Sequence, residues 1–451
     1  MQSKRKQADF IVSGRYLLPT WRQDEVIRDG AVAIYQDGIT AIGDRGTLRA
    51  RYPDAEELHQ PAGLIMPGLI NTHTHAPMSY LRGIADDLPL MTWLQKHIFP
   101  VEQKLDGDMV YHSTLLSIGE MIKSGTTSFC DMYLFANEVA RATAETGIRA
   151  WIGEVLYDFP SPSYGVLENG FDCVINLFEK YQQHPLITTT VDPHSVYTCA
   201  PSLLERCGEL ADEYNSLYVI HLCETDSEVS TCVERYGLTP VQHLHKLGLL
   251  NNRVLAAHCV KLSPEEIQTL AEQEVKVSHC VESNMKLASG TAPVPELIEQ
   301  GVIVSIGTDG PASNNDVDMF SEMSTVAKVH KVTTMDPTVM DAETTLRCGT
   351  MGGAEALMAA EKIGTLAPGK KADFIVLDLD QPHLTPMYNI PSHLIYAVRG
   401  GDVLHSVING RLVMKNRQLL SIDEKRTIAR MNEISEKVLE IRKEATAGNY
   451  T

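Results

Sequence analysis

The chain has 451 residues, 58 of them acidic against 39 basic, for a formal net charge of -19. That length exceeds what one small core needs and points to one large domain, or a large one beside a small one. The acidic balance repels phosphate backbones and anionic bilayers, which argues against a nucleic-acid or membrane partner, and no run approaches the ~18 apolar residues of a membrane span.

At the N-terminus, "MQSKRKQADFIVSGRYLLP" lacks the apolar core of a signal peptide because Asp9 and Arg15 interrupt it, so a cytoplasmic protein is expected. Nine cysteines with no C-x-x-C pair fit a reducing compartment and speak against a disulfide framework or a zinc ribbon. Cys259 and Cys280 adjoin His258 and His279, and neighbouring strand residues face opposite sides, so these thiols are expected to pack outward.

The first elements, "DFIVSGRYLLP" and "GAVAIYQDGITAIG", alternate apolar and polar residues around glycine turns and read as antiparallel strands. From Leu64 the pattern changes. Eight short apolar runs follow: "LIMPGLINTHTH", "TTSFCDM", "IRAWIGEVL", "ITTTVDPHS", "LYVIHLCE", "VLAAHC", "VKVSHCVESN" and "VIVSIGTDG". Their near-continuous hydrophobicity suggests strands buried on both faces. Segments between them, such as "SPEEIQTLAEQE" with Ser263 as N-cap, carry helical spacing. Eight strand-helix units suit an α/β fold of the (β/α)8 TIM-barrel type, for which ~250 residues are typical. An open doubly wound sheet is the structural alternative. Beyond the barrel, "ADFIVLDLD" and "VLHSVINGRLVMKNRQLL" alternate again, and a charged helical tail follows Asp423. The expected division is a small β-sandwich from residues 1–63 and 364–422, a barrel over 64–363 and a tail over 423–451.

Polar residues at the carboxyl ends of the barrel strands are His73 and His75, His194, His221 with Glu224, His258, His279 and Asp309. In a barrel, catalytic groups gather at that end. His73 and His75 are two apart, so on a strand they share a face at ~6.6 Å and can reach one Zn2+ at ~2.0–2.1 Å. Alone, H-x-H also occurs on ordinary strands. His221 on strand five and Asp309 on strand eight complete a His3Asp set that leaves room for water. Singly, His221 could be a core histidine and Asp309 a turn residue; jointly, at matching strand ends, they read as a metal site.

With these motifs on the page, "PGLINTHTH", "HLCET", "SIGTDG" and "GTLAPGKKADFIVLD" resemble the amidohydrolase superfamily, specifically its cytosine deaminase and s-triazine hydrolase branch. The resemblance covers nearly the whole chain and implies the sandwich-plus-barrel fold. Within that branch, "TWLQKHIFPVEQ", "DPHSVYTC" and "ESNMKLASG" are similar to the 5'-methylthioadenosine/S-adenosylhomocysteine deaminases. That similarity assigns Glu102 and His194 to ribose hydroxyls and Trp93 to the wall near the 5' substituent. Superfamily members with two metals commonly carry a lysine on strand four; His194 stands there instead, which implies one metal ion per subunit. Zn2+ is the expected ion, with Fe2+ or another divalent metal left open.

A metal at His73, His75, His221 and Asp309 would lower the pKa of a water from ~15.7 towards ~7. For a 6-aminopurine, attack at C6 places charge on ring nitrogen N1, and Glu224 is placed to deliver the proton. Asp309 can accept the water's proton and pass it to the amine, while His258 polarises the attacking oxygen. The expected reaction is deamination of 5'-methylthioadenosine, with adenosine or S-adenosylhomocysteine as further substrates. Alternatives are a deaminase of guanine or another heterocycle, an s-triazine-type hydrolase, and a non-catalytic scaffold relative. A homo-oligomer is the base-rate expectation. His279 is left between a supporting and a core role, and His112, His184, His243, His245, His330 and His405 read as structural.

The resembling deaminases that accept S-adenosylhomocysteine are expected to grip its carboxylate with arginine after strand three. Here "GIRAWIGEVLYDFPSPSYGVLENG" offers Arg149 only, within the strand, and places Glu154 where a cation is expected. Methylthioadenosine is therefore the expected preference.

Overall fold

The computed structural model describes residues 7–88 and 90–447. The first six residues of the basic start and the last four of the charged tail lie outside the described residues. Near the N-terminus, β1 (Phe10–Leu17), β2 (Ile27–Tyr35) and β3 (Gly38–Asp44) form an antiparallel meander, and β4 (Glu56–Pro67) lies parallel to β1. Alternation sorts the two faces of this sheet. Val12, Val32 and Ile34 bury on one side, and Ile11, Ala31 and Ala33 bury on the other against Leu48 and Tyr52.

The apolar run from Leu64 to His75, read above as one strand, is two. Gly68 divides β4 from β5 (Leu69–Thr74), and a Cβ at Gly68 would fall 2.0 Å from Thr127 Oγ1. Only glycine permits that approach, where the backbone leaves one sheet for another. β6 (Thr126–Tyr133), β7 (Arg149–Leu156), β8 (Ile187–Thr189) and the two-residue β9 (Asp192–Pro193) continue from β5 with parallel pairing. The run "ITTTVDPHS" therefore supplies two short pieces. A second parallel sheet follows: β10 (Tyr218–Leu222), β11 (Val254–His258), β12 (Lys276–His279) and β13 (Val304–Ile306). In "VKVSHCVESN" the strand stops at His279, and Val281–Lys286 is helical. The two sheets touch at both edges. Parallel bridges join Val191 to Tyr218 and Ser195 to His221, and the Asp309 amide donates to His73 O at 3.0 Å. This is an α/β fold with helices between parallel strands, and all residues of β6 and β7 are buried.

The last strands, β14 (Phe374–Asp378), β15 (Val403–Ile408), β16 (Arg411–Lys415) and β17 (Gln418–Leu419), extend the first sheet through antiparallel pairing of β14 with β4. The two chain ends thus share one eight-stranded sheet of order β17-β16-β15-β14-β4-β1-β2-β3. A buried ion pair ties it to the parallel strands: Arg149 Nε donates to Asp373 Oδ2 at 2.7 Å and Nη2 to Oδ1 at 3.1 Å. The tail forms helix Glu424–Ala447, which buries Met431, Ile434 and Val438 at helical spacing. Among the described residues no helix is long and apolar enough to cross a membrane.

Candidate active site and metal centre

The strand ends converge as their polar residues predict. His73 lies in β5 with His75 just past it, His221 in β10, His258 closes β11, and Asp309 follows β13. Two of these backbones are left-handed, with φ of 72° at His258 and 60° at Asp309, and Cys223, next to Glu224, has φ of 54°. Non-glycine residues adopt that region at a cost, and such residues cluster where a side chain must be aimed.

Second contacts fix the imidazoles. His75 Nδ1 donates to Met132 O at 2.5 Å and His221 Nδ1 to His194 O at 2.8 Å, so each Nε2 carries a lone pair. These two Nε2 atoms face each other at 3.2 Å. Asp309 Oδ1 lies 3.5 Å from His73 Nε2 and 3.3 Å from His75 Nε2. His73 Nε2 is buried without a hydrogen-bond partner among the described residues. Burial pushes His73 down to about 4, so its imidazole is neutral at pH 7. Burial works against the Asp309 carboxylate, but the close approach of His73 and the other facing imidazoles outweighs this and holds it well below the usual range. Ser283 and Ser313 donate to Asp309 Oδ2 at 2.6 and 2.9 Å, which leaves Oδ1 towards the histidines. Three imidazole nitrogens and one carboxylate oxygen, gathered around a common point, fit a divalent metal. The ligand atoms of His73, His75 and His221 lie within 4.8 Å of one another, as do those of His73, His258 and Asp309.

His258 differs from the other three. Asn284 Nδ2 donates to its Nδ1 at 3.0 Å, so Nε2 bears the proton and is a donor. That Nε2 stands 4.0 Å from Glu224 Oε2. Burial first, and the Asp309 charge second, push Glu224 up to about 8, so it holds its proton at pH 7. Its backbone is anchored by Glu228, whose carboxylate accepts from the amides of Cys223 and Glu224 at 3.0 and 2.7 Å.

A cavity opens from these groups. Trp93, Glu102 and His194 line it together with His75, His221, Glu224, His258 and Asp309. Trp93 is buried at the end of the short helix Leu90–Trp93, and Glu102 ends Phe99–Glu102. Burial pushes Glu102 up to about 7 and His194 down to about 3. His194 Nδ1 lies 2.9 Å from Thr198 Oγ1. The wall also holds residues the motifs did not flag. Tyr157 and Phe159 stack at 3.9 Å between centroids, Phe99 lies 6.2 Å from Phe159, and Tyr133 hydrogen-bonds Glu102.

One expectation changes. Glu154 does not face the cavity. Its carboxylate accepts from the amides of Phe135 and Ala136 at 3.1 and 2.8 Å, and so caps helix Ala136–Thr146, whose N-cap Phe135 has no capping oxygen of its own. Arg149 is committed to Asp373 in the buried ion pair. The cavity lining nonetheless holds no Lys or Arg among the described residues. His279 turns away from the metal ligands towards His330, with Nε2 atoms 3.1 Å apart.

Comparison with known proteins agrees with this geometry. The amidohydrolase family model matches residues 64–413. A 5-methylthioadenosine/S-adenosylhomocysteine deaminase of Syntrophobacter fumaroxidans is 52% identical over 95% of this chain and 98% of its own length. A protein of the same description from Syntrophus aciditrophicus is 48% identical over 97% and 99%. The crystal structure of an adenosine deaminase from Xanthomonas campestris with bound zinc superposes with a TM-score of 0.95 at 38% identity, covering 96% of this chain and 99% of that one. Atrazine chlorohydrolase from Arthrobacter aurescens, at 22% identity and a TM-score of 0.87, shares the fold. The chain belongs to the amidohydrolase family.

Proposed function

We propose that this chain is a zinc-dependent aminohydrolase that converts 5'-methylthioadenosine, and more slowly adenosine or S-adenosylhomocysteine, to the inosine analogue and ammonia. One observation carries the reading. A single cavity joins a His3Asp donor set and a protonated Glu224 at one end to Glu102, His194 and an aromatic wall at the other. The first group suits hydrolysis at C6 of a 6-aminopurine, and the second suits a ribose bearing an apolar 5' tail. The names of the relatives at 48–52% identity support the same substrate class.

When bound by His73, His75, His221 and Asp309, a divalent metal supplies Lewis-acid activation of a water molecule. The chain's own residues do the rest. As the water oxygen adds to C6, Glu224 transfers its proton to N1, so no full negative charge builds on the ring. Asp309 takes one proton from the attacking water and hands it to the amine, which departs as ammonia, and the second water proton passes to Glu224 as the 6-oxo group forms, restoring the acid. Nε2–H of His258 donates to the attacking oxygen and holds it in line. Glu102 and His194 bind the ribose hydroxyls, and Trp93 covers the 5' substituent.

The contacts between the two parallel sheets support one closed (β/α)8 barrel over residues 64–363. The strands of 1–63 and 364–422 form its flanking β-domain, and Glu424–Ala447 a helical tail. Nine free cysteines support a reducing cytoplasm. Ammonia release measured in parallel on methylthioadenosine, adenosine, S-adenosylhomocysteine and guanine tests the proposal. Highest kcat/KM on methylthioadenosine is expected, and turnover of guanine alone would overturn it.

A further inference from the structure

Tyr133, the last residue of β6, donates its hydroxyl to Glu102 Oε1 at 2.6 Å. Tyr80, in the turn Ala76–Leu81 that follows the two ligand histidines, places its hydroxyl 2.9 Å from that of Tyr133. Both phenols are buried. A phenol has one proton, and a carboxylate can only accept. With the Tyr133 proton committed to Glu102, Tyr80 donates to the Tyr133 oxygen, and the chain Tyr80 to Tyr133 to Glu102 has one direction. No other hydrogen bond reaches the Glu102 carboxylate among the described residues, so Oε2 has no protein partner at the cavity that Glu102 and Tyr133 both line. Glu102 sits at the end of a four-residue helix, and a glutamate there has three rotatable bonds to lose when a ligand binds. One clamped oxygen removes most of that freedom before the ligand arrives.

We infer that Tyr133, backed by Tyr80, is a positioning residue that presents the free oxygen of Glu102 to the ribose hydroxyls of the substrate. The inference rests on the reading that Glu102 binds the ribose. Tyr133 also lies beside the metal site, its ring centroid 6.1 Å from that of His75. One side chain therefore stands between the ribose clamp and the reacting end of the cavity.

The test compares adenosine with 2'-deoxyadenosine in the metal-loaded wild type, Tyr133→Phe, Tyr80→Phe and Glu102→Ala. The wild type should favour adenosine by at least ~10-fold in kcat/KM, since a site built to bind a hydroxyl rejects the analogue lacking it. Tyr133→Phe keeps the ring and should lose most of that preference, with the loss falling mainly on KM, while metal content is unchanged. Tyr80→Phe should move the same way by a smaller factor. If Glu102→Ala abolishes the preference while both phenylalanine variants keep it, the positioning role is overturned and the ribose reading stands. If Glu102→Ala keeps the preference, the ribose reading itself fails and the positioning role with it. A Tyr133→Phe enzyme that loses metal and kcat without changing the preference contradicts the inference, because a merely structural role would act in that way.

Discussion

His75 and His221 turn their Nε2 lone pairs on each other at 3.2 Å, and each ring has already given its Nδ1 proton to a backbone carbonyl. Two acceptors at that distance repel unless a cation lies between them, so the pair is arranged for a bound metal rather than for each other. His73→Ala or His221→Ala should therefore abolish turnover and lower metal content, because three ligands hold the ion far less well than four. Metal analysis showing full occupancy in both variants would remove the assignment.

Glu224 is not a ligand in this scheme, so Glu224→Gln should keep its metal while the rate falls by ~10²–10⁴. The pH dependence follows with its sign. Burial, and then the Asp309 charge, raise Glu224 to about 8, and its working form is the protonated one. From this group kcat/KM should fall as pH rises through about 8. A wild-type profile that instead rises steadily above pH 8 would deny Glu224 the acid role.

Substrate preference rests on the cavity lining rather than on Glu154, which caps a helix. The wall near Trp93 is built from Phe99, Tyr157 and Phe159 and contains no Lys or Arg among the described residues. A methylthio group suits it, and an amino-acid carboxylate finds no cation. kcat/KM should favour 5'-methylthioadenosine over S-adenosylhomocysteine by at least ~10-fold, or ~1.4 kcal/mol. Phe159 is 40% exposed at the rim, so Phe159→Arg should narrow the ratio. Equal values for the two substrates in the wild type would refute the preference.

The Arg149–Asp373 pair is bidentate and buried. Asp373→Ala strands a guanidinium and should reduce stability by about 3–5 kcal/mol, seen as a lower denaturation midpoint with metal content intact. An unchanged midpoint would show that water reaches Arg149.

The convergence of His73, His75, His221 and Asp309 was legible in the sequence because strand order and strand ends alone bring them together, and H-x-H marks the first of those ends. The groups that tune them were not. Ser283 and Asn284 follow β12, 26 residues from Asp309 and His258 in sequence, and nothing local to those residues points to them; Ser313 lies four residues past Asp309, but its place in that loop does not show that its hydroxyl turns back to the carboxylate. Tyr133 reads as the apolar end of β6 until Glu102, 31 residues away, is seen against it. Glu154 lies at a strand position from which it could face either the cavity or the next helix, and only the position of Phe135 decides. The flanking strands were legible by alternation, but the pairing of β14 with β4 joins residues some 300 positions apart and leaves no local trace.

The central claim is metal-dependent deamination of a thioether nucleoside. Its most direct measurement is ammonia and nucleoside product from 5'-methylthioadenosine, with the enzyme as isolated, after chelation, and after Zn2+ is restored. One ammonia and one 5'-methylthioinosine per substrate consumed are expected, with activity lost on chelation and regained with Zn2+. Deamination that persists in metal-free enzyme, or a zinc-loaded enzyme that leaves methylthioadenosine intact, would contradict it.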